Sequence, residues 1–376
     1  MESAKNEKIV LITNADVVAV NGAEGHFRVK VKRHPWFVDI EKCNGCGACV
    51  DVCPVTVPHE WDMDLKPRKA IYTMFAQAAP LKYLVDREAC VDCGLCMQAC
   101  GLNAIDLAQE AWEEDLEVGS IVVATGMRSF DPSGMKQFRY GEQQNVVTNM
   151  EFERICNAAG PTQGELIRPD GKHIRSVALI QCVGSRDREN HPYCSFFCCM
   201  ASIKGGRLVM EHEPEAEVTV FFNDMRACGK GFEELYRRSR DDGMKFVQAI
   251  PAVYENKVNG NPVLVYEDSE AGGITRVEVD LVVLACGLEP SDGTSQLSQL
   301  LGLERDPYGF VQETHPVMGM AETSRRGIFM AGTCQGPKDI PDSVTQGSAT
   351  AALVGILFSR DLTEEADKEK EDMTDG

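Results

Sequence analysis

The sequence predicts an α/β fold interrupted by a cysteine-rich insert, and three observations carry that expectation. Between Arg175 and Ile250, strand-like and helix-like stretches alternate, which is the pattern of a parallel sheet with helical crossovers. A strand that closes on a small residue and a glycine occurs twice, as Val122-Val-Ala-Thr-Gly126 and as Leu281-Val-Val-Leu-Ala-Cys-Gly287. Two runs of four cysteines separate the first strands of the chain from the rest.

Taken in order, Ile9–Val20 and His26–Lys32 are rich in β-formers and flank Asn21-Gly22, a hairpin signal. Leu116–Gly126 reads as one further strand. In the alternating region, Ser176–Gln181 is a buried-type strand, and a helix is expected around Ala201–Glu211. Glu217–Phe222 follows as a strand, Gly231–Asp241 as a helix and Lys245–Ala249 as a strand. Asn259-Gly260 marks a turn between two strands, and Val279–Gly287 is another buried strand. Asp361–Gly376 is dominated by charge and is expected to be a disordered acidic tail.

The net charge of −20 over 376 residues argues against nucleic-acid partners and anionic lipid, both of which need a basic face. The longest apolar run, Ala351–Phe358, is too short to span a bilayer, so no membrane association is expected. Met1–Lys8 has no apolar core of a secretory signal. A cytoplasmic, reducing location is therefore expected, where sixteen cysteines point to metal or redox chemistry rather than disulfides.

The first run is Cys43-Asn-Gly-Cys46-Gly-Ala-Cys49-Val-Asp-Val-Cys53-Pro54, and the second is Cys90-Val-Asp-Cys93-Gly-Leu-Cys96-Met-Gln-Ala-Cys100. Both follow C-x₂-C-x₂-C-x₃-C, the spacing that wraps a [4Fe–4S] cubane. Two residues between ligands let a tight loop set three thiolates around one cluster, and Gly45, Gly47 and Gly94 let the backbone approach. The fourth cysteine, expected to begin a helix, reaches the other cluster in two-cluster ferredoxins. This assigns Cys43, Cys46, Cys49 and Cys100 to one centre, and Cys90, Cys93, Cys96 and Cys53 to the other. Zinc also takes C-x₂-C pairs, but its sites use two knuckles with four ligands in all.

A G-x-G-x-x-G turn is expected after the first strand of a dinucleotide-binding unit. Here the turn reads Gln181-Cys-Val-Gly-Ser-Arg186, and Cys194-Ser-Phe-Phe-Cys198-Cys199 follows. A helix N-terminus favours negative charge, and a thiolate-ligated cluster is anionic. Cys182, Cys194, Cys198 and Cys199 are thus candidates for a third [4Fe–4S] cluster, the alternative being four small buried thiols. Cys156, Cys228, Cys286 and Cys334 are isolated and read as packed core thiols; His26 and His34 read as surface residues.

The two Gly-terminated strands, with Gly327-Ile-Phe-Met-Ala-Gly332, resemble disulfide-oxidoreductase flavoproteins of the thioredoxin reductase type, although Thr333 stands where those proteins usually carry aspartate. Further matches are Val55-Thr-Val-Pro-His-Glu60, Pro80-Leu-Lys-Tyr83, Gln181–Asp187, Gly229-Lys-Gly-Phe-Glu-Glu234 and Gly336-Pro-Lys-Asp-Ile-Pro-Asp342. With them the chain closely resembles the A-type subunit of heterodisulfide reductase, from about Ile9 to Arg360. The resemblance implies FAD, supports the third cluster and places Lys204 near the flavin ring. It also implies flavin contacts from Thr125, Gly126, Gly287, Gly332, Thr333, Gln335, Gly336, Lys338, Ile340 and Pro341. The fold class is then α/β, a partial thioredoxin-reductase-like flavoprotein architecture with an inserted α+β two-cluster ferredoxin domain.

The expected domains are flavin-domain strands at 1–33, the ferredoxin domain at 34–109 and a return strand with linker at 110–165. A nucleotide-domain-like unit at 166–289, a second flavin segment at 290–360 and the tail at 361–376 complete the chain. An earlier G-x-G-x-x-G segment for the FAD pyrophosphate, usual in this family, has no counterpart in the sequence. A partner chain is expected to complete the flavin site. The implied role is an electron-transfer subunit of an anaerobic complex, with flavin-based electron bifurcation allowed. Implied partners are heterodisulfide-reductase-like, small iron–sulfur, hydrogenase, formate dehydrogenase or class II benzoyl-CoA-reductase-type subunits. The competing function is a free-standing NAD(P)H-dependent iron–sulfur flavoenzyme.

Overall fold

The computed structural model describes residues 3–269 and 272–374, with 360–374 as backbone only. Strands β1 (Ala15–Ala23) and β2 (His26–Arg33) form a hairpin that turns at Glu24-Gly25. The expected turn at Asn21-Gly22 lies inside β1 instead. Gly22 has φ of 92°, and a Cβ there would stand 2.1 Å from the His26 carbonyl oxygen. The Asn-Gly pair therefore marks a close approach beside the turn rather than the turn itself. Ile9–Asn14, expected to belong to the strand, is outside it.

The chain divides into two compact units. One comprises Met1–Asp16, Val31–Glu114 and Asn149–Ile174. It holds the short helices α1 (Ala48–Asp51) and α2 (Leu95–Ala99) and two small antiparallel pairs. The pairs are β3 (Val57–Pro58) with β4 (Pro67–Arg68), and β5 (Ile71–Tyr72) with β6 (Leu84–Val85). So little regular structure buries a small core of Val38, Ile71, Val85, Ala104 and Ile105 around Cys49 and Cys96. Helix α3 (Asn149–Cys156), in a stretch expected as linker, clusters with this unit: Arg154 Nε donates to Asp62 Oδ1 at 2.8 Å, and Phe152 and Ile155 are buried.

The segment expected as one strand over Leu116–Gly126 is two strands, β7 (Trp112–Val118) and β8 (Ile121–Val123). Gly119 breaks it: its carbonyl accepts from Gly25 N at 2.9 Å, and a Cβ would meet the Phe358 ring at 2.4 Å. β7 joins β1 and β2 in a three-stranded sheet, in the order β1-β2-β7.

The other unit comprises Val17–Lys30, Asp115–Thr148 and Arg175–Gly376. After β9 (Met127–Ser129), a five-stranded parallel sheet is built from β10 (Val146–Thr148), β11 (Ser176–Val183), β12 (Glu217–Phe221), β13 (Lys245–Val247) and β17 (Leu281–Cys286), ordered β10-β17-β11-β12-β13. Helices α4 (Cys198–His212) and α5 (Phe232–Asp241) are its crossovers. All six residues of β17 are buried, as a central parallel strand covered on both faces requires. Strands β14 (Ala252–Glu255), β15 (Pro262–Asp268) and β16 (Gly273–Glu278) form an antiparallel meander, with Asn259-Gly260 in the expected turn. Leu264 and Tyr266 of the meander share a core with Ile180, Phe221 and Leu284 of the parallel sheet.

β18 (Leu288–Pro290) pairs with β9, and α6 (Asp292–Leu301) follows. β19 (Ile328–Met330) pairs in parallel with β8, placing Val123 opposite Met330. The backbone of helix α7 (Ile340–Thr374) runs through most of the segment expected to be disordered, whose last two residues, Asp375 and Gly376, lie outside the described residues. The composition accounts for this correction, since Glu, Ala and Lys are strong helix formers. Among the described residues no helix is long and apolar enough to cross a membrane.

Candidate metal centres

Each cysteine run folds around glycines in the left-handed region. Gly47 and Gly94 cap α1 and α2 at φ of 85° and 71°, and Gly45 holds 76°. In the second run Asp92, at φ of 53°, takes the place of Gly45. The helices start earlier than expected. Cys49 and Cys96, the third cysteines, lie inside α1 and α2, while Cys53 and Cys100 lie just beyond their ends. The left-handed glycine two residues before the third cysteine caps the helix there, so the fourth cysteine leaves the helix rather than opening it.

That exit separates the ligands as the spacing implies. Cys43, Cys46, Cys49 and Cys100 line one cavity of about 310 Å³, walled by Val38, Ile71 and Tyr83. Cys53, Cys90, Cys93 and Cys96 line a second, which shares Ile71. The Ala104 amide donates to Cys100 Sγ at 3.3 Å, and Lys82 Nζ holds the Cys43 carbonyl. Burial, then the neighbouring Cys43 and Cys46 sulfurs, pushes the Cys49 thiol up to about 11. Thiolates held this close need a cation between them. Among the described residues no three His, Cys, Asp or Glu side chains converge on a single ion. A cubane is different, because each thiolate binds its own iron and the ligands surround a volume.

The third group lies in the second unit. The ladder of β11 with β17 shifts between Ile180 and Val183, and Cys182 sits in that bulge at φ of 61°. Cys198 and Cys199 open α4, and both are buried. The connecting loop is pinned by the Leu288 amide to Ser195 Oγ and the Tyr193 hydroxyl to the Leu288 carbonyl, each at 2.8 Å. Burial raises the Cys198 thiol well above its usual value, and the sulfurs of Cys199, Cys182, Cys194 and Cys286 add to the rise, so these cysteines lie near one another. Backbone amides already point at two of them, Phe196 N to Cys194 Sγ at 3.3 Å and Arg226 N to Cys199 Sγ at 3.5 Å. On either side of Cys182, Gln181 has both amide atoms buried without partners, and Arg186 has Nη1 buried without one. Orphaned donors beside four clustered thiols fit an anionic metal–sulfur group.

Several of the residues expected at the flavin lie where β8 and β19 end together. Thr125 and Gly126 follow β8, and Gly332 follows β19. Gly126 and Gly332 have φ of 74° and 76°, with nothing within 4 Å of a Cβ position, which leaves backbone open to a ligand at the carboxyl end of parallel strands. The Thr125 hydroxyl is engaged by Thr294 at 2.8 Å. Thr333 lies in the short 3₁₀ turn Gly332–Cys334. Lys338 Nζ donates to Gln335 Oε1 at 2.6 Å and Gln346 Oε1 at 2.7 Å, and burial lowers its pKa. Gly336 is open, while Ile340 and Pro341 are exposed at the start of α7. Gly287 has a packing reason of its own, since a Cβ would meet Ser185 Cβ and Ser195 Oγ at 2.9 Å. Lys204 is exposed on α4, about 7.5 Å along the axis and about 140° round from Cys199.

Sequence reasoning missed Gln346, which also accepts from Gly332 N at 2.9 Å; no motif marks it. Of the isolated cysteines, Cys286 and Cys334 are fully buried as expected. Cys228 is exposed and Cys156 only half-buried, a correction for both. Cys228 sits in the glycine-bearing loop before α5, outside any core layer. His26 is exposed, and His34 is partly so, paired with Asp16 at 2.7 Å.

Two cavities lined by crossed cysteines define an iron–sulfur protein with a dicluster module, and residues 42–105 match the family model described as a 4Fe-4S dicluster domain. The chain is a homologue of the A-type subunit of heterodisulfide reductase. It is 46% identical over 363 residues to the second A-type iron–sulfur subunit of the CoB–CoM heterodisulfide reductase of Methanopyrus kandleri, covering 96% of this chain and 55% of that one. It is 45% identical over 364 residues to the A-type subunit of the H₂/formate:CoB-CoM heterodisulfide,ferredoxin reductase of Methanococcus maripaludis, again covering 96% and 55%. The chain thus spans about half the length of the curated relatives it matches. The thioredoxin reductase of Lactococcus lactis aligns at a TM-score of 0.41 and 15% identity, covering 77% of this chain and 86% of that one.

Proposed function

We propose that this chain is the iron–sulfur, FAD-contacting electron-transfer subunit of a multi-subunit redox complex of heterodisulfide-reductase type. Three [4Fe–4S] clusters are held by Cys43, Cys46, Cys49 and Cys100, by Cys90, Cys93, Cys96 and Cys53, and by Cys182, Cys194, Cys198 and Cys199. The single observation that carries the reading is the crossing of Cys53 and Cys100 into each other's cavities. One-electron carriers of this kind, when bound, pass electrons singly, and a flavin exchanges them in pairs. A relative named for both a heterodisulfide and ferredoxin suits an electron pair divided between two acceptors, and we extend that role to this chain. Gly126, Gly332, Gln335 and Lys338 supply the flavin-side backbone and charge, and Lys204 is the further cation offered to the ring. A partner chain completes the FAD site.

Anaerobic reconstitution tests this directly. About twelve iron atoms per chain are expected, and Cys198→Ala should retain about eight with both dicluster signals intact. A value near eight in the unaltered protein removes the third centre, and bound zinc with no iron sinks the reading. FAD should be weakly held by the isolated chain and stoichiometric in the complex with its partner. The competing NAD(P)H-dependent flavoenzyme has less support, because cysteines occupy the turn after β11 where a dinucleotide needs glycines. Bleaching of bound flavin by NADH in the isolated chain would favour it.

A further inference from the structure

We propose that Arg186 sets how readily the centre of Cys182, Cys194, Cys198 and Cys199 accepts an electron, and that Asp224 positions it for this; the inference rests on reading those cysteines as cluster ligands. Arg186 lies four residues after Cys182 in a turn whose backbone is fixed twice. Ser185 N donates to the Cys182 carbonyl at 3.2 Å, and Arg186 N donates to the Tyr193 carbonyl at 2.9 Å. The Arg186 backbone is left-handed at φ of 54°, an unfavourable conformation for a long side chain that the surrounding hydrogen bonds hold in place.

Its guanidinium faces two ways. Nη2 donates to Asp224 Oδ2, while Nη1 is buried with no hydrogen-bond partner. The nearby guanidinium favours charge on the Cys182 sulfur, against the burial that raises its pKa. Asp224 belongs to the loop after β12, and two residues on the Arg226 amide donates to Cys199 Sγ. One loop therefore anchors the arginine and contributes a donor of its own to the same four sulfurs. A guanidinium suits the position, since it stays charged and its planar fork can serve a carboxylate and a sulfur at once.

The electrostatic consequence has a definite sign. One-electron reduction adds a negative charge to a group that is already anionic, with no proton required. A fixed positive charge against a ligand sulfur stabilises the reduced form more than the oxidised one, and so raises the potential.

The test is an anaerobic, dithionite-driven titration of the full cluster-loaded chain, followed by electron paramagnetic resonance with iron counted first. In Arg186→Gln the third centre's midpoint should fall, so that at fixed potential its reduced-to-oxidised ratio drops about tenfold, or about 59 mV for one electron. The two dicluster centres should not move. Asp224→Asn should shift the same centre in the same direction by less, and Arg186→Lys should recover part of the loss. An unchanged midpoint in Arg186→Gln at wild-type iron overturns the proposal. Should that variant lose the centre's iron, Asp224→Asn decides, and the proposal fails if its midpoint equals the wild type. Unaltered protein with only about eight irons overturns the third-cluster reading itself, and the iron count reveals this before any titration.

Discussion

At the scale of single residues, the first unit depends on a buried charge network as much as on apolar contacts. Asp62 is almost wholly buried and receives Lys66 Nζ at 2.7 Å and Arg154 Nε at 2.8 Å. Burial alone would raise its pKa, but the hydrogen bonds from Lys66 and Arg154 outweigh that and hold the carboxyl below its ordinary value. A depressed folded pKa means that the contribution is present above the unfolded value near 4 and is lost as pH falls through the folded one. Asp62→Asn should therefore cost about 1–3 kcal/mol, less than a fully buried pair because Lys66 and Arg154 are partly solvated. Anaerobic urea denaturation should show a gap from wild type that is constant between about pH 7 and pH 8, changes where His59, 3.8 Å from Asp62, takes up its proton, and narrows below about pH 4. A gap that drifts across the neutral range would falsify the assignment.

Whole elements show which features a sequence can carry. The grouping of the cysteines around two cavities was legible because the spacing within each run is local, a matter of two and three residues. The helices beside them started early because a left-handed glycine, not the ligand, decides where the turn closes. The parallel strands were readable from their apolar runs. The end of β7 was not, since it depends on Phe358 arriving at Gly119 from far along the chain. Asp224 and Gln346 were invisible because their partners, Arg186 and Lys338, follow no spacing rule. At the end of β11, Gly184 has φ of 72°, and a Cβ would stand 2.1 Å from Phe130 Cδ1, so the turn bearing Cys182 and Arg186 has no room for one. Gly184→Ala should cost about 2–4 kcal/mol from left-handed strain plus overpacking. A denaturation midpoint equal to wild type would refute that account of the turn.

For the molecule as a whole, the crossed cysteines matter beyond electron transfer. Cys53 and Cys100 each belong by sequence to one run and by cavity to the other, with Ile71 forming a wall of both. In loaded protein, the metal–sulfur groups would act as two interlaced staples on a module whose own core is small. Each staple draws the ends of a long chain segment together, and closing the first pre-pays most of the entropy of closing the second. Loading would thus be close to all-or-none: native mass spectra of under-supplied protein should show empty and doubly loaded modules, with singly loaded ones scarce. Substantial single occupancy would mean that the two cavities fill independently. The crossing of the two runs would then serve as a quality check at birth, leaving a half-built module floppy and open to proteolysis while a finished one is locked.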